Sequence, residues 1–281
     1  MKEIVNQNFP NERDLYGASD VLLKNCTFDG EADGESALKE AKNVELIGCF
    51  MNLRYPLWHD EGVKLDSVTM TDKCRAALWY TKGVSAKNCN MLGIKAVREC
   101  EDIDIASSKI VSPEFGWKSR RIKLADVDIE SEYLFLLSSD ITLDRVKFKG
   151  KYSFQYVENM LIDSCFLDTK DAFWHTKNVT VRNSVVKGEY LAWYSENLTL
   201  ENCKIIGTQP LCYCKGLKLV NCEMENTDFS FEYSEVDADI KGDILSVKNP
   251  HKGKIVADSV GELILTDDSK YACDCDVILR H

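Results

Sequence analysis

Several features are missing from this 281-residue chain. No stretch approaches the ~18 consecutive apolar residues of a membrane-spanning helix, so no membrane crossing is expected. The opening residues, Met1-Lys2-Glu3-Ile4-Val5-Asn6-Gln7-Asn8, carry no apolar signal core, so a cytoplasmic location is expected rather than export by that route. Basic charge is scarce: 35 Lys and Arg against 46 Asp and Glu leave a net charge of −11. A nucleic-acid binder needs a positive footprint, so DNA and RNA are excluded as expected partners. No Pro-, Gly- or Ser-rich linker interrupts the chain, which argues for one domain. Cysteine, by contrast, is abundant at 12 residues. In a chain with no leader these are expected to be reduced thiols rather than a disulfide framework.

What is present is a repeat. Leu198-Thr199-Leu200-Glu201-Asn202-Cys203-Lys204-Ile205 returns as Leu217-Lys218-Leu219-Val220-Asn221-Cys222-Glu223-Met224, and weaker copies precede it. Its first apolar residue, the anchor, falls at Val21, Val44, Val63, Val84, Ile103, Ile122, Ile141, Met160, Val179, Leu198, Leu217 and Val236. The steps are 23, 19 and 21, then eight of 19.

Anchor and anchor+2 are apolar while anchor+1 is mostly polar (Lys64, Asp104, Lys123, Thr142, Thr180, Thr199), the period-two signature of a strand. Asn, Asp or Gly precedes most anchors, and Asn recurs at anchor+4. These residues tolerate left-handed backbone, so a sharp bend is expected at each place. A third, aromatic-rich segment precedes each anchor, as in Ala77-Leu78-Trp79-Tyr80 and Ala172-Phe173-Trp174-His175, and is too short for a helix. Three short strands per coil and a 19-residue period predict a right-handed parallel β-helix of about twelve coils, with rungs ~4.8 Å apart. Residues 21–236 form the coils in this reading, 1–20 the N-terminal cap and 237–281 the C-terminal cap. A leucine-rich repeat shares the anchor half of the pattern. It also requires Leu three before the anchor, where this chain has Asp60, Thr81, Cys100, Ser119, Ser138, Thr176 and Ser195.

Cys26, Cys49, Cys89, Cys165, Cys203 and Cys222 all occupy anchor+5, which Val or Ser fills elsewhere, so they read as small inward fillers. Cys212-x-Cys214 and Cys273-x-Cys275 offer two thiols each, short of a metal site. Neither a metal nor another cofactor is expected.

Chemistry is sought in the aromatic segment. Trp58, Trp79, Trp117, Trp174 and Trp193 all stand five before an anchor, a column that elsewhere admits Arg98 and Gln155. The neighbouring column, six before, is nearly all apolar and is expected inside. The indoles then read either as a surface platform for sugar rings or as filler for a wide core. Titratable side chains flank the column. Glu99 and Glu114 are the candidate carboxylate pair, which a glycosidase needs about 5–9 Å apart. Arg98 and Lys95 are the candidate bases of a lyase. Arg75, Trp79, Tyr80, Trp117, Lys118, Glu132, Tyr156, Trp174, His175 and Trp193 are the candidate ligand contacts. The competing reading of these charges is a solvated face of ion pairs between rungs.

The Asn-Cys coils, together with Ala77–Tyr80, Ser153–Tyr156, Ala172–His175 and Pro210–Cys214, resemble an uncharacterised, mainly bacterial family known only as a domain of unknown function. That family is similar in architecture to the pectin-lyase-like right-handed β-helices. The resemblance covers nearly the whole chain and implies the fold but no activity. The wider superfamily includes carbohydrate-active enzymes and non-catalytic members. The expectation is therefore a protein that binds an oligosaccharide or similar polar ligand along the aromatic face, with hydrolase or lyase activity open. The alternative is a non-catalytic scaffold whose tyrosine-rich face meets a protein partner.

Overall fold

The structure, a computed structural model, describes residues 1–31 and 35–280. The chain is an all-β parallel solenoid of about 14 turns with a period of about 19 residues. No helix occurs among the described residues. Two compact units divide it, Met1–Thr142 and Leu143–His281.

In the first unit the anchors are register partners from coil to coil: Val21, Val44, Val63, Val84, Ile103 and Ile122. Their strands (Ser19–Lys24, Lys42–Ile47, Glu61–Asp66, Lys82–Lys87, Glu101–Ala106, Arg120–Ala125) stack in parallel. The corner strands after anchor+4, such as Asn90–Leu92, Lys109–Val111 and Asp128–Glu132, form a second parallel ladder. The second unit repeats the plan with Glu158–Asp163, Lys177–Arg182 and Glu196–Glu201, then Leu217–Glu225 and Glu235–Lys241. The segments expected as caps also add parallel strands. Lys2–Val5 pairs with Ser19–Lys24, and Lys252–Ala257 and Asp274–Leu279 follow Glu235–Lys241.

Alternation decides what is buried. Anchor and anchor+2 side chains are inside, as are anchor+5 and anchor+7, and anchor+1 is half-buried or exposed. The bends have the expected left-handed backbone: Asn43, Asp102 and Asn197 before their anchors, and Asn88, Asn202 and Asn221 at anchor+4, all have φ between 51° and 58°. At the second bend of the last coils the amides form a ladder. Asn221 Nδ2 donates to Asn202 Oδ1 (2.6 Å) and Asn202 Nδ2 to Asn183 Oδ1 (3.3 Å).

The third segment is less regular than the other two. It is a two-residue strand at Leu57–Trp58, Leu78–Trp79 and Val97–Arg98, and a run of tight turns in most other coils. A third left-handed position recurs here, four before the anchor, at His59, Tyr80, Glu99, Lys118, His175 and Tyr194. Residue type alone does not mark it, because apart from His59 and His175 the position is filled by Tyr, Glu and Lys, which seldom adopt left-handed backbone. The strain is offset by hydrogen bonds to the next coil: the N–H of Tyr80 donates to Arg98 O (3.1 Å) and that of His175 to Trp193 O (3.0 Å).

All twelve cysteines are free thiols, ten of them buried. The anchor+5 position wants more than small volume. Ser108 Oγ donates to Ala106 O (2.7 Å) and accepts the N–H of Cys89 from the preceding coil (2.9 Å). Ser184 does the same for Arg182 O and the N–H of Cys165. A thiol can make both contacts, as Cys165 does with Asp163 O (3.1 Å) and the N–H of Val146 (3.3 Å). Ser and Cys therefore exchange there because each is a small donor–acceptor. Burial raises the thiols of Cys49 and Cys165 to about 11, which leaves them unreactive.

Candidate functional site

The aromatic segment turns its two columns to opposite sides. Leu57, Leu78, Val97, Phe135, Phe154 and Phe173, six before the anchor, are buried, while all five tryptophans are half-buried. The volume missing at Gly116 in the inner column is taken by Phe135: a Cβ on Gly116 would lie 2.3 Å from its ring. The indoles are therefore not needed to fill the core.

In the first unit the tryptophan column is a continuous stack with cations in it. Lys39 Nζ sits 4.1 Å from the centre of the Trp58 ring. Trp58 and Trp79 are stacked at 5.4 Å and 13°. Arg98 takes the next rung, with its guanidinium carbon 5.6 Å from Trp79 and 5.9 Å from Trp117. One rung step to the side, His59 and Tyr80 stack at 4.9 Å with exposed edges. Both faces of Trp58 and Trp79 are covered, by Lys39, by each other and by Arg98, so these two indoles present edges to solvent, not faces.

The candidate carboxylates lie beside this stack. Glu99 Oε1 accepts from Arg98 Nε (3.1 Å), and Glu114 Oε2 is 3.2 Å from Lys95 Nζ. All four side chains are about a quarter exposed. The Nη atoms of Arg98 make no hydrogen bond to the described residues. Two flat ring systems hold the guanidinium and a carboxylate fixes its rotation, leaving a solvent-facing donor pair. Arg75 and Lys118 are exposed on the same segment, and Glu132 lies exposed at the end of the strand Asp128–Glu132.

The indole N–H groups differ along the column. Those of Trp117, Trp174 and Trp193 donate to the carbonyls of Tyr133 (2.7 Å), Tyr190 (2.7 Å) and Gln209 (2.9 Å). Those of Trp58 and Trp79 are buried without an acceptor among the described residues. Tyr55 packs its ring 6.1 and 5.9 Å from these two indoles.

The second unit carries a longer but less charged stack. Trp174 and Trp193 lie parallel at 5.5 Å and 3°. Beside them Tyr156, His175, Tyr194 and Tyr213 stack at 4.9, 5.0 and 4.7 Å. Tyr156 and Tyr194 are exposed, and burial raises the Tyr213 phenol to about 12. The structure therefore gathers Lys95, Arg98, Glu99, Glu114, Trp79, Tyr80 and Trp117 in the first unit. Tyr156, Trp174, His175 and Trp193 belong to the second unit's stack.

Sequence reasoning missed Lys39, Tyr55 and His59 as members of the first stack. Lys39 stands five before Val44, the tryptophan position, but its coil has no aromatic to draw attention to it. It also missed Asp60, a buried carboxyl in the column of small hydroxyl residues three before the anchor. Asp60 Oδ1 accepts the N–H of Ala41 (3.0 Å), while Oδ2 is buried with no partner among the described residues. Burial raises its pKa from 3.8 to about 8, with the nearby Glu40 charge adding to the rise. Among the described residues no three His, Cys, Asp or Glu side chains are grouped to hold a metal ion.

Repeat, ladders and aromatic edge together define a parallel β-solenoid. The chain belongs to the family described as Protein of unknown function (DUF3737), whose model matches residues 2–278. No curated protein matches it. Among solved structures it is similar to a double mutant of the periplasmic alginate epimerase AlgG (10% identity, 93% of this chain and 77% of that one, TM-score 0.30). It is also similar to PfbA, a surface adhesin of Streptococcus pneumoniae (9% identity, 94% and 84%, TM-score 0.33). A third is the GH136 lacto-N-biosidase of Eubacterium ramulus (11% identity, 95% and 63%, TM-score 0.35).

Proposed function

We propose that this chain binds an acidic carbohydrate along the aromatic edge of its first unit, with Arg98 as the principal contact. One observation carries the proposal: a half-buried guanidinium is clamped between Trp79 and Trp117, oriented by Glu99, and keeps its terminal nitrogens without a partner among the described residues. Such a planar donor pair matches a carboxylate, which it can hold by two parallel hydrogen bonds. The exposed edges of His59 and Tyr80 and the ammonium groups of Lys95 and Lys118 suit the hydroxyls and ring oxygens of flanking sugars. Because the faces of Trp58 and Trp79 are already covered, recognition there works through hydrogen bonds at edges rather than through sugar–ring stacking.

Any hydrolase or lyase step would fall to Glu99, Glu114, Arg98 and Lys95. In the free protein both carboxylates are engaged by cations, whereas a glycosidase keeps its acid in an apolar or like-charged setting. Binding is therefore the better supported half of the reading. A cytoplasmic setting belongs to the proposal and agrees with twelve unpaired thiols.

The test is calorimetric titration of the whole protein with uronic-acid oligosaccharides and with neutral ones of equal length. The acidic series should bind more tightly, and Arg98→Gln should weaken it by roughly tenfold or more, with Arg98→Lys between. Equal affinity of wild type and Arg98→Gln would refute the assignment. The exposed Tyr156–His175–Tyr194 stack favours a second reading, a non-catalytic face for a protein partner. That reading gains if no oligosaccharide binds and Tyr194→Ala abolishes capture of a partner that Arg98→Gln still captures.

A further inference from the structure

One column of the first unit pairs off its charges. Two residues before the anchor, register partners alternate in sign: Lys42, Glu61, Lys82, Glu101, Arg120. Neighbours of opposite sign meet, as at Arg120–Glu101 (2.8 Å). The corner strands of the same unit behave differently. Asn90, Lys109 and Asp128 are register partners on three successive coils, six after their anchors. Lys109 and Asp128 are opposite in sign and one rung apart, yet neither enters an ion pair among the described residues. Beside them Asn90 Oδ1 is buried with no hydrogen-bond partner among the described residues.

The bend next to these three residues has a gap. In the second unit Asn221, Asn202 and Asn183 tie their amides together at anchor+4, and Asn183 Nδ2 goes on to Asp163 Oδ1 (2.9 Å). In the first unit Asn88 Nδ2 donates to Asp66 Oδ1 (3.3 Å), but the following coil has Ser107 in that place. Ser107 is left-handed like the asparagines (φ 47°), so the bend is kept, while its short side chain does not fill the space of an amide. A cleft of about 490 Å³ opens here, lined by Asn88, Ser107 and Asp126 on one side and by Asn90, Lys109 and Asp128 on the other. That volume lies in the range of small-ligand sites.

We propose that this cleft binds a neutral sugar ring through a pair of adjacent hydroxyls. A hydroxyl both donates and accepts, so one pair can accept from the Lys109 ammonium while donating to Asp128 and to Asn90 Oδ1. The terminal torsion of an asparagine is soft, so a small turn brings Oδ1 to the ligand. That atom has lost its water in the free protein with nothing in its place, so a ligand hydroxyl adds a hydrogen bond without stripping one away. Charged ligands fit less well. A carboxylate or phosphate would meet Asp126 and Asp128, and an amine would meet Lys109. The cleft lies on a different edge of the coil from Arg98 and does not depend on the acidic-sugar reading.

The test is an NMR titration of the full, isotope-labelled chain with three neutral trisaccharides, cellotriose, maltotriose and mannotriose. At least one should bind and shift the amide signals of residues 88–90 and 107–109. Asn90→Val and Lys109→Met should each weaken that binding by about fivefold or more. The fold accepts Val at this position, as at Val185. In the free protein Asn90→Val should melt higher than wild type, because it removes a buried acceptor that has no partner among the described residues. Binding of none of the three, binding that either variant leaves unchanged, or shifts confined to the aromatic edge around Arg98 would overturn the proposal. So would an Asn90→Val variant that melts no higher than wild type. None of these results bears on the Arg98 assignment, which is tested with acidic sugars.

Discussion

Asp60 shows how far one residue can depart from its column. Its coil-to-coil equivalents Thr81 and Ser119 are neutral donors: Thr81 Oγ1 donates to Leu57 O (2.7 Å) and Ser119 Oγ to Trp117 O (3.1 Å). Burial disfavours a carboxylate in that place, and the Glu40 charge disfavours it further, so the pKa of Asp60 is raised from 3.8 to about 8 and the fold holds it protonated at neutral pH. A carboxyl that keeps its proton more tightly when folded contributes all its stability below the unfolded value. It loses that stability as pH rises toward the folded value. Between pH 3.8 and about 8 the protein should therefore lose stability through this group, by at most about 1.4 kcal/mol per pH unit. Asp60→Asn should flatten that decline and melt higher than wild type at pH 8.5. Denaturant melts across the pH range check this, and parallel curves for the two proteins would show that Asp60 is not the titrating group. The residue could be singled out in sequence as an oddity among Thr, Cys and Ser, but its protonation could not, because that follows from burial.

At the level of the element, the hydroxyl column joins coils in a way that apolar stacking alone does not. Ser119 Oγ accepts the N–H of Cys100 (3.0 Å), and the N–H of Ser119 donates to Ser138 Oγ (3.1 Å). Ser119→Ala should strand the buried N–H of Cys100 and cost roughly 1–3 kcal/mol, whereas Ser119→Cys should cost less because the thiol still accepts. Chemical denaturation measures both, and a Ser119→Ala variant as stable as wild type would remove the column's claimed role. The strand content of each coil was legible because alternation and left-handed bends are written in residue types: Val, Ile and Leu inside, Asn, Asp and Gly at corners. The aromatic segment was only half legible. Its inward column was readable from Leu57, Leu78 and Phe173. Its left-handed turns at Tyr80, Glu99 and Tyr194 were not, since hydrogen bonds to the next coil impose them rather than local preference. For the same reason the sequence could name the tryptophans but not their mutual stacking, which turns a supposed sugar platform into an array of edges.

At the level of the whole molecule, the excess of acid, −11 overall, hides an ordered arrangement of charge. Opposite signs are spent on each other from rung to rung, so the side chains left to meet a ligand are those that the ladders do not use. Arg98 is the clearest of these in the aromatic edge: its Nε donates to Glu99, and its Nη atoms make no hydrogen bond to the described residues. The measurement that bears most directly on this account is a crystal structure of the whole protein soaked with a uronic-acid oligosaccharide. A sugar carboxylate is expected within hydrogen-bonding distance of both Arg98 Nη atoms, with sugar hydroxyls against the edges of His59 and Tyr80. A sugar lying flat on the tryptophan faces, or bound at another part of the chain, would contradict it.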